Sequence, residues 1–68
     1  MAYRDETFIK NLIQIRQRKG ITIVELSVKT GLSKTILYGY ESGTYFPTVK
    51  NRKKLATALG VRMDEFFK

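Results

Sequence analysis

Apolar residues recur along this chain at helical spacing, and no stretch shows the strict alternation of a half-buried strand. Over residues 5–18, Phe8, Leu12 and Ile15 fall at i, i+4 and i+7, with Ile9 and Ile13 widening the stripe. This spacing places them on one face of a helix. Asp5 or Thr7 can cap its start. Asp5 and Glu6 suit the positive end of its dipole, and Arg16, Arg18 and Lys19 suit the negative end. Gly20 stops it. Thr22, with Glu25 three residues on, has the form of a capping box opening a second helix that carries Ile23, Leu26 and, less strictly, Val28. Ile21, just before the cap, is placed to act as half of a hydrophobic staple.

Thr30-Gly31-Leu32 then interrupts the pattern. Gly31 suits the left-handed residue that ends a helix, and Ser33 suits the cap of the next. A third helix from about Ser33 to Glu41 carries Ile36, Leu37 and Tyr40 as its buried face, and Gly43 ends it. After the loop Thr44–Pro47, Thr48 caps a fourth helix over residues 49–59 with Val49, Leu55, Ala56 and Leu59 on one side. Residues 62–67 read as a short fifth helix, with Met63, Phe66 and Phe67 as its apolar side. The expected fold is all-α: five short helices in one domain spanning residues 1–68. The second and third helices, about eight residues each, are too short to bury much alone. Their purpose is to hold one another at a fixed angle.

Composition narrows the function. A chain of 68 residues has room for one small core, and 43% hydrophobic residues is too many for disorder. There is no cysteine and no histidine. Disulfides, thiolate or zinc sites and histidine-based catalysis are therefore excluded. No carboxylate pair lies outside helix ends, so neither enzyme chemistry nor a metal or cofactor is expected. No apolar run approaches the length of a membrane span and the first residues do not form a signal peptide. A cytoplasmic location is expected.

The charge is the stronger signal. Thirteen Lys and Arg oppose six Asp and Glu, a net +7. A short chain this basic suits a polyanion, nucleic acid first and an anionic membrane surface second. The membrane reading fails because the apolar faces are needed for the core. The plain alternative is a charge that serves solubility alone.

The run T-x-x-E-L-S-x-x-x-G-L-S-x-x-x-L-x-x-Y-E-x-G, from Thr22 to Gly43, resembles the Cro and phage-repressor type of helix-turn-helix domain. The resemblance extends to Leu12-x-x-Ile15-Arg16 before it and to Pro47 and Leu55-Ala56-x-x-Leu59-Gly60-Val61 after it, covering roughly residues 8–67. It implies a compact five-helix, lambda-repressor-like fold that binds double-stranded DNA. The usual form is a homodimer acting as a transcriptional regulator, here a repressor on an inverted-repeat operator, associated with the nucleoid when bound. The second helix of the motif enters the major groove and the first lies across the backbone.

On that resemblance, Ser33, Lys34, Thr35 and Tyr38 face base edges. Lys34 can donate to guanine and the Thr35 methyl can touch thymine. Thr22, Thr44, Tyr45, Lys50 and Lys53 fall near phosphates. Lys50, Arg52, Lys53 and Lys54 could equally form only a solvated face, and Tyr45 and Phe46 could simply cover the core edge. Arg52 stands where the family tends to be apolar and would lay its stem over the core. The family pattern pairs Arg16 with Glu41, which ties the first helix to the third. Met63 and Phe67 are the expected dimer contact, or else they complete the monomer core.

Two positions depart from the family. Ile23 replaces a common phosphate-gripping Gln, and Gly39 stands at a frequent base-reading position. Gly39 either lets the helix approach DNA closely or leaves that position unread. These departures also leave room for an antitoxin-type protein-interaction module with secondary DNA binding, anchored through exposed aromatics.

Overall fold

A computed structural model describes residues 5–68. Residues 1–4, which fall within the expected domain and within the stretch expected to hold no signal peptide, lie outside the described residues. The described chain forms four α-helices and a terminal 3-10 helix: α1 (Glu6–Arg18), α2 (Ile23–Thr30), α3 (Lys34–Ser42), α4 (Val49–Leu59) and η1 (Met63–Phe67). Local chemistry sets the boundaries. The carboxylate of Asp5, rather than the hydroxyl of Thr7, caps α1 by accepting from Phe8 N at 2.9 Å. Thr22 and Glu25 close a reciprocal capping box on α2, with backbone-to-side-chain bonds of 3.1 and 3.2 Å. Ser33 caps α3 and Thr48 caps α4 in the same i to i+3 manner.

The turn between α2 and α3 is tight for three reasons. Gly31 takes a left-handed conformation, φ 74°, that a side chain would strain. Ser27 Oγ donates to Leu32 O at 2.6 Å across the turn. Thr30, although buried, satisfies its hydroxyl by donating to Leu26 O and accepting from Leu32 N. This polar pinning fixes the angle between two helices too short to hold it alone.

The core is one cluster drawn from every element: Phe8, Leu12 and Ile15 of α1, Leu26 of α2, Leu37 and Tyr40 of α3, Leu55 and Leu59 of α4, and Phe66 of η1. Ile21, Ile13, Val61 and Met63 pack partly buried around it. The ring of Phe8 sits edge-on to Phe46 at 5.1 Å and to Phe66 at 5.5 Å, so α1 closes over both the α3–α4 loop and η1. Asn11 Nδ2 donates to Phe66 O at 3.0 Å and fastens the chain end to α1.

Three expectations are corrected. The fifth element is a 3-10 helix, not an α-helix. Its five residues are too few to close a ladder of i to i+4 bonds, and Glu65 N bonds Arg62 O at i+3 instead. Ile36 is exposed rather than buried, because Leu37 and Tyr40 define the inner face of α3 and Ile36 falls at its edge. Val49 is also exposed. It lies six residues before Leu55, which at roughly 100° per residue turns it about 120° away from the core.

Candidate nucleic-acid interface

The outward face of α3 follows from its inward one. With Leu37 and Tyr40 buried, residues 35, 38, 39 and 42 are turned away from the core. Lys34 and Thr35 are exposed in the first turn and Tyr38 follows, 58% exposed. Ser33 is exposed at the cap. Its oxygen accepts from Ile36 N at 3.1 Å, which leaves its hydroxyl hydrogen free to donate. The structure therefore gathers Ser33, Lys34, Thr35 and Tyr38 at one end and one side of α3, with no core residue between them and solvent.

Behind this face lies an ion pair. Arg16 Nε donates to Glu41 Oε2 at 2.6 Å and a terminal nitrogen donates to Oε1 at 3.2 Å, with both side chains largely buried. Arg16 also donates to Ile21 O at 3.0 Å. One guanidinium thus joins the end of α1, the start of the α2 segment and the last turn of α3. The hydrogen bond to Glu41 raises the Arg16 pKa above its ordinary value, against the opposing effect of burial. The pair also removes the only carboxylate between residues 26 and 63 from the surface. The remaining acids lie at the head of α1, in the α2 capping box and in η1. The surface from α3 through α4 accordingly carries Lys34, Lys50, Lys53 and Lys54 without a competing carboxylate.

The expected phosphate-binding residues are placed unequally. Lys50 is exposed in the first turn of α4, and Thr44 is exposed with its hydroxyl 2.8 Å from that of Ser42. Lys53 sits a turn further along α4. It borders a shallow groove of about 300 Å³ shared with Lys29, Lys54 and Thr57. Thr22 is exposed, but its hydroxyl accepts from Glu25 N and donates to Glu25 Oε1 within the capping box. Both of its hydrogen-bonding roles are therefore in use there. Ile23 is buried, so this departure from the family serves the core.

Tyr45 is the placement that sequence reasoning missed. Its amide donates to Gly39 O at 3.1 Å, and its ring lies directly on Gly39, where any Cβ would overlap it. Gly39 is buried although it falls on the outward helix face, and this ring lies over it.

Arg52 lies half-buried with its stem over the core, as expected, and the structure adds the partners of its guanidinium. Its guanidinium stacks between Phe46 at 5.2 Å and Phe67 at 5.8 Å, and it donates to Pro47 O at 2.8 Å. A cation over an aromatic face is favourable and keeps the aliphatic stem packed. Phe67 stays 43% exposed under it, whereas Met63 is half-buried against the core. Among the described residues no group of three or more His, Cys, Asp or Glu could hold a metal, and no helix is long and apolar enough to cross a membrane.

Two short helices locked at a fixed angle, the second with an exposed polar face, define a helix-turn-helix protein. The chain belongs to the helix-turn-helix family, whose model matches residues 12–66. It is 40% identical over 53 residues to the HTH-type transcriptional regulator SlrR of Bacillus subtilis, a match covering 76% of this chain and 35% of that protein. It is 39% identical over 51 residues to the uncharacterized HTH-type transcriptional regulator y4dJ of Sinorhizobium fredii, covering 75% of this chain and 66% of the relative. The structure is similar to the crystal structure of the restriction-modification controller protein C.AhdI from Aeromonas hydrophila. That likeness has a TM-score of 0.86 and 33% identity, over 90% of this chain and 92% of the controller.

Proposed function

We propose that the protein is a sequence-specific DNA-binding transcriptional regulator that performs no catalysis. The observation that carries the reading is the exposed face of α3, Lys34, Thr35 and Tyr38, on a surface whose one nearby carboxylate, Glu41, is held by Arg16. Docked in the major groove, this helix brings Lys34 to guanine O6 and N7, the Thr35 methyl to thymine, and Ser33 and Tyr38 to neighbouring base edges. Thr44, Lys50 and Lys53 neutralise or bond the flanking phosphates and set the register. Thr22 contributes through its position at the α2 start more than through its hydroxyl, which the capping box holds. The names of its relatives, two transcriptional regulators and one restriction-modification controller, support this class.

The finer form of the proposal is a repressor that binds an inverted repeat as a homodimer. Phe67, exposed beside Arg52, with the uncovered part of Met63, is the self-complementary contact. It would set two copies of α3 about one DNA turn, roughly 34 Å, apart. Selection from a random duplex library followed by footprinting tests the reading. Recovery of a palindromic site supports it, and recovery of no preferred sequence refutes it.

A further inference from the structure

Gly39 occupies the middle of the outward face of α3, about one helical turn beyond Thr35. Its backbone is ordinary right-handed helix, unlike Gly20, Gly31, Gly43 and Gly60, which take positive φ. Nothing in its conformation therefore calls for glycine. A glycine inside a helix costs about 1 kcal/mol relative to alanine. What requires it is the ring of Tyr45, whose Cε2 lies only 2.7 Å from where a Cβ would stand. The backbone that carries the ring is tied to α3 at the same residue. The Tyr45 amide bonds Gly39 O at 3.1 Å, and Ser42 Oγ donates to the same carbonyl at 3.2 Å. The side chain remains 52% exposed.

From this geometry we infer that Tyr45 stands in for the side chain that α3 lacks at residue 39, and that it is a specificity-determining residue. The loop after the recognition helix folds back and lends its ring to the groove-facing surface. Lys34 and Thr35 lie at one end of that surface, and the Tyr45 ring lies beyond them along the helix axis. An aromatic edge presented there suits apolar contact with a thymine methyl. A hydrogen bond from its hydroxyl to phosphate would contribute affinity but no preference among sequences. The inference rests on the proposed docking of α3 in the major groove, and its test separates the two.

The experiment measures base preference at every position of the selected site for wild type, Tyr45→Ala, Tyr45→Phe and Gly39→Ala. Thermal melting followed by circular dichroism establishes that each variant is folded. The expected result for Tyr45→Ala is a loss of about fivefold or more in preference at one or two base pairs adjoining those read by Lys34 and Thr35. Preference elsewhere in the site is unchanged. Gly39→Ala, which displaces the ring while leaving the tyrosine present, loses the same preference. Tyr45→Phe keeps it, because the ring stays seated. Equal weakening on every duplex for Tyr45→Ala overturns the inference and makes Tyr45 a phosphate contact only. Retained preference in folded Gly39→Ala overturns the seat. If wild type selects no duplex at all, the docking of α3 has failed rather than the role of Tyr45. Should Gly39→Ala not fold, the contrast between Tyr45→Ala and Tyr45→Phe still decides.

Discussion

Arg16 Nε lies 2.6 Å from Glu41 Oε2, and this one pair spans 25 residues of sequence to fix α3 against α1. A second bond from the same guanidinium reaches the other carboxylate oxygen. The bidentate fork is specific to arginine, since a lysine ammonium has no matching geometry. Removing one partner strands the other with little solvent. For a buried pair that costs about 3–5 kcal/mol, and the residual exposure here places the expected loss toward about 3. Glu41→Ala should therefore lower Tm by about 12 °C or more for a domain this small, read by circular dichroism. Arg16→Lys should recover only part of the loss. A wild-type melt for Glu41→Ala would remove the pair from the account of stability.

The pH dependence of that pair follows from the sign of the shift. The Arg16 pKa is raised in the folded state by its hydrogen bond to Glu41. A raised basic pKa stabilises fully below the unfolded value and is lost only as pH rises through the folded one. Both lie far into the alkaline range, so Arg16 itself adds no slope to stability between about pH 5 and 9. Urea midpoints measured across that window in wild type and Arg16→Lys should differ by a constant offset.

Lys34 and Lys50 are both exposed cations, but they sit on different parts of the surface. Lys34→Ala should abolish discrimination at a guanine-containing position, with about 1–3 kcal/mol lost on the preferred site and little on mismatched ones. Lys50→Ala should weaken all duplexes alike and reduce the salt slope by about two, one charge for each copy of the dimer. Gel-shift titrations over a mismatch series distinguish them. Uniform loss for Lys34→Ala would end its base-reading role.

Phe67 carries the dimer proposal. Phe67→Ser leaves the buried Phe66 and the Asn11 bond to its carbonyl in place. It loses the Phe67 ring contacts with Phe8 at 5.9 Å and with Arg52, so it should stay folded and melt about 5–15 °C below wild type. In sedimentation it should run as a monomer at concentrations where wild type is a dimer. A dimeric Phe67→Ser would move the interface elsewhere.

The parts of this structure that were legible in the sequence are those decided within a few residues. Asp5, Thr22, Ser33 and Thr48 act across i to i+3, so each cap is visible as a residue type at a spacing. The core residues Leu12, Leu26, Leu37 and Leu55 were legible for the same reason, as periodic positions. Tyr45 on Gly39, and the Phe46 and Phe67 rings that meet the Arg52 guanidinium, were not. Both depend on how the α3–α4 loop folds back in three dimensions. The only trace in the sequence was a glycine and an arginine at positions where neither was expected. Ile36 and Val49 were misread because an apolar residue at a helix edge or first turn keeps the period without facing inward.

The salt dependence of binding to a selected duplex separates a sequence-reading regulator from a merely basic domain. With Lys50 and Lys53 from each of two copies on phosphates, log K should fall against log salt with a slope of about −4. A scrambled duplex should show a similar slope at an affinity lower by a factor of about 10³ or more. A flat salt response, or equal affinity for both duplexes, would contradict a sequence-reading regulator built on the exposed face of α3.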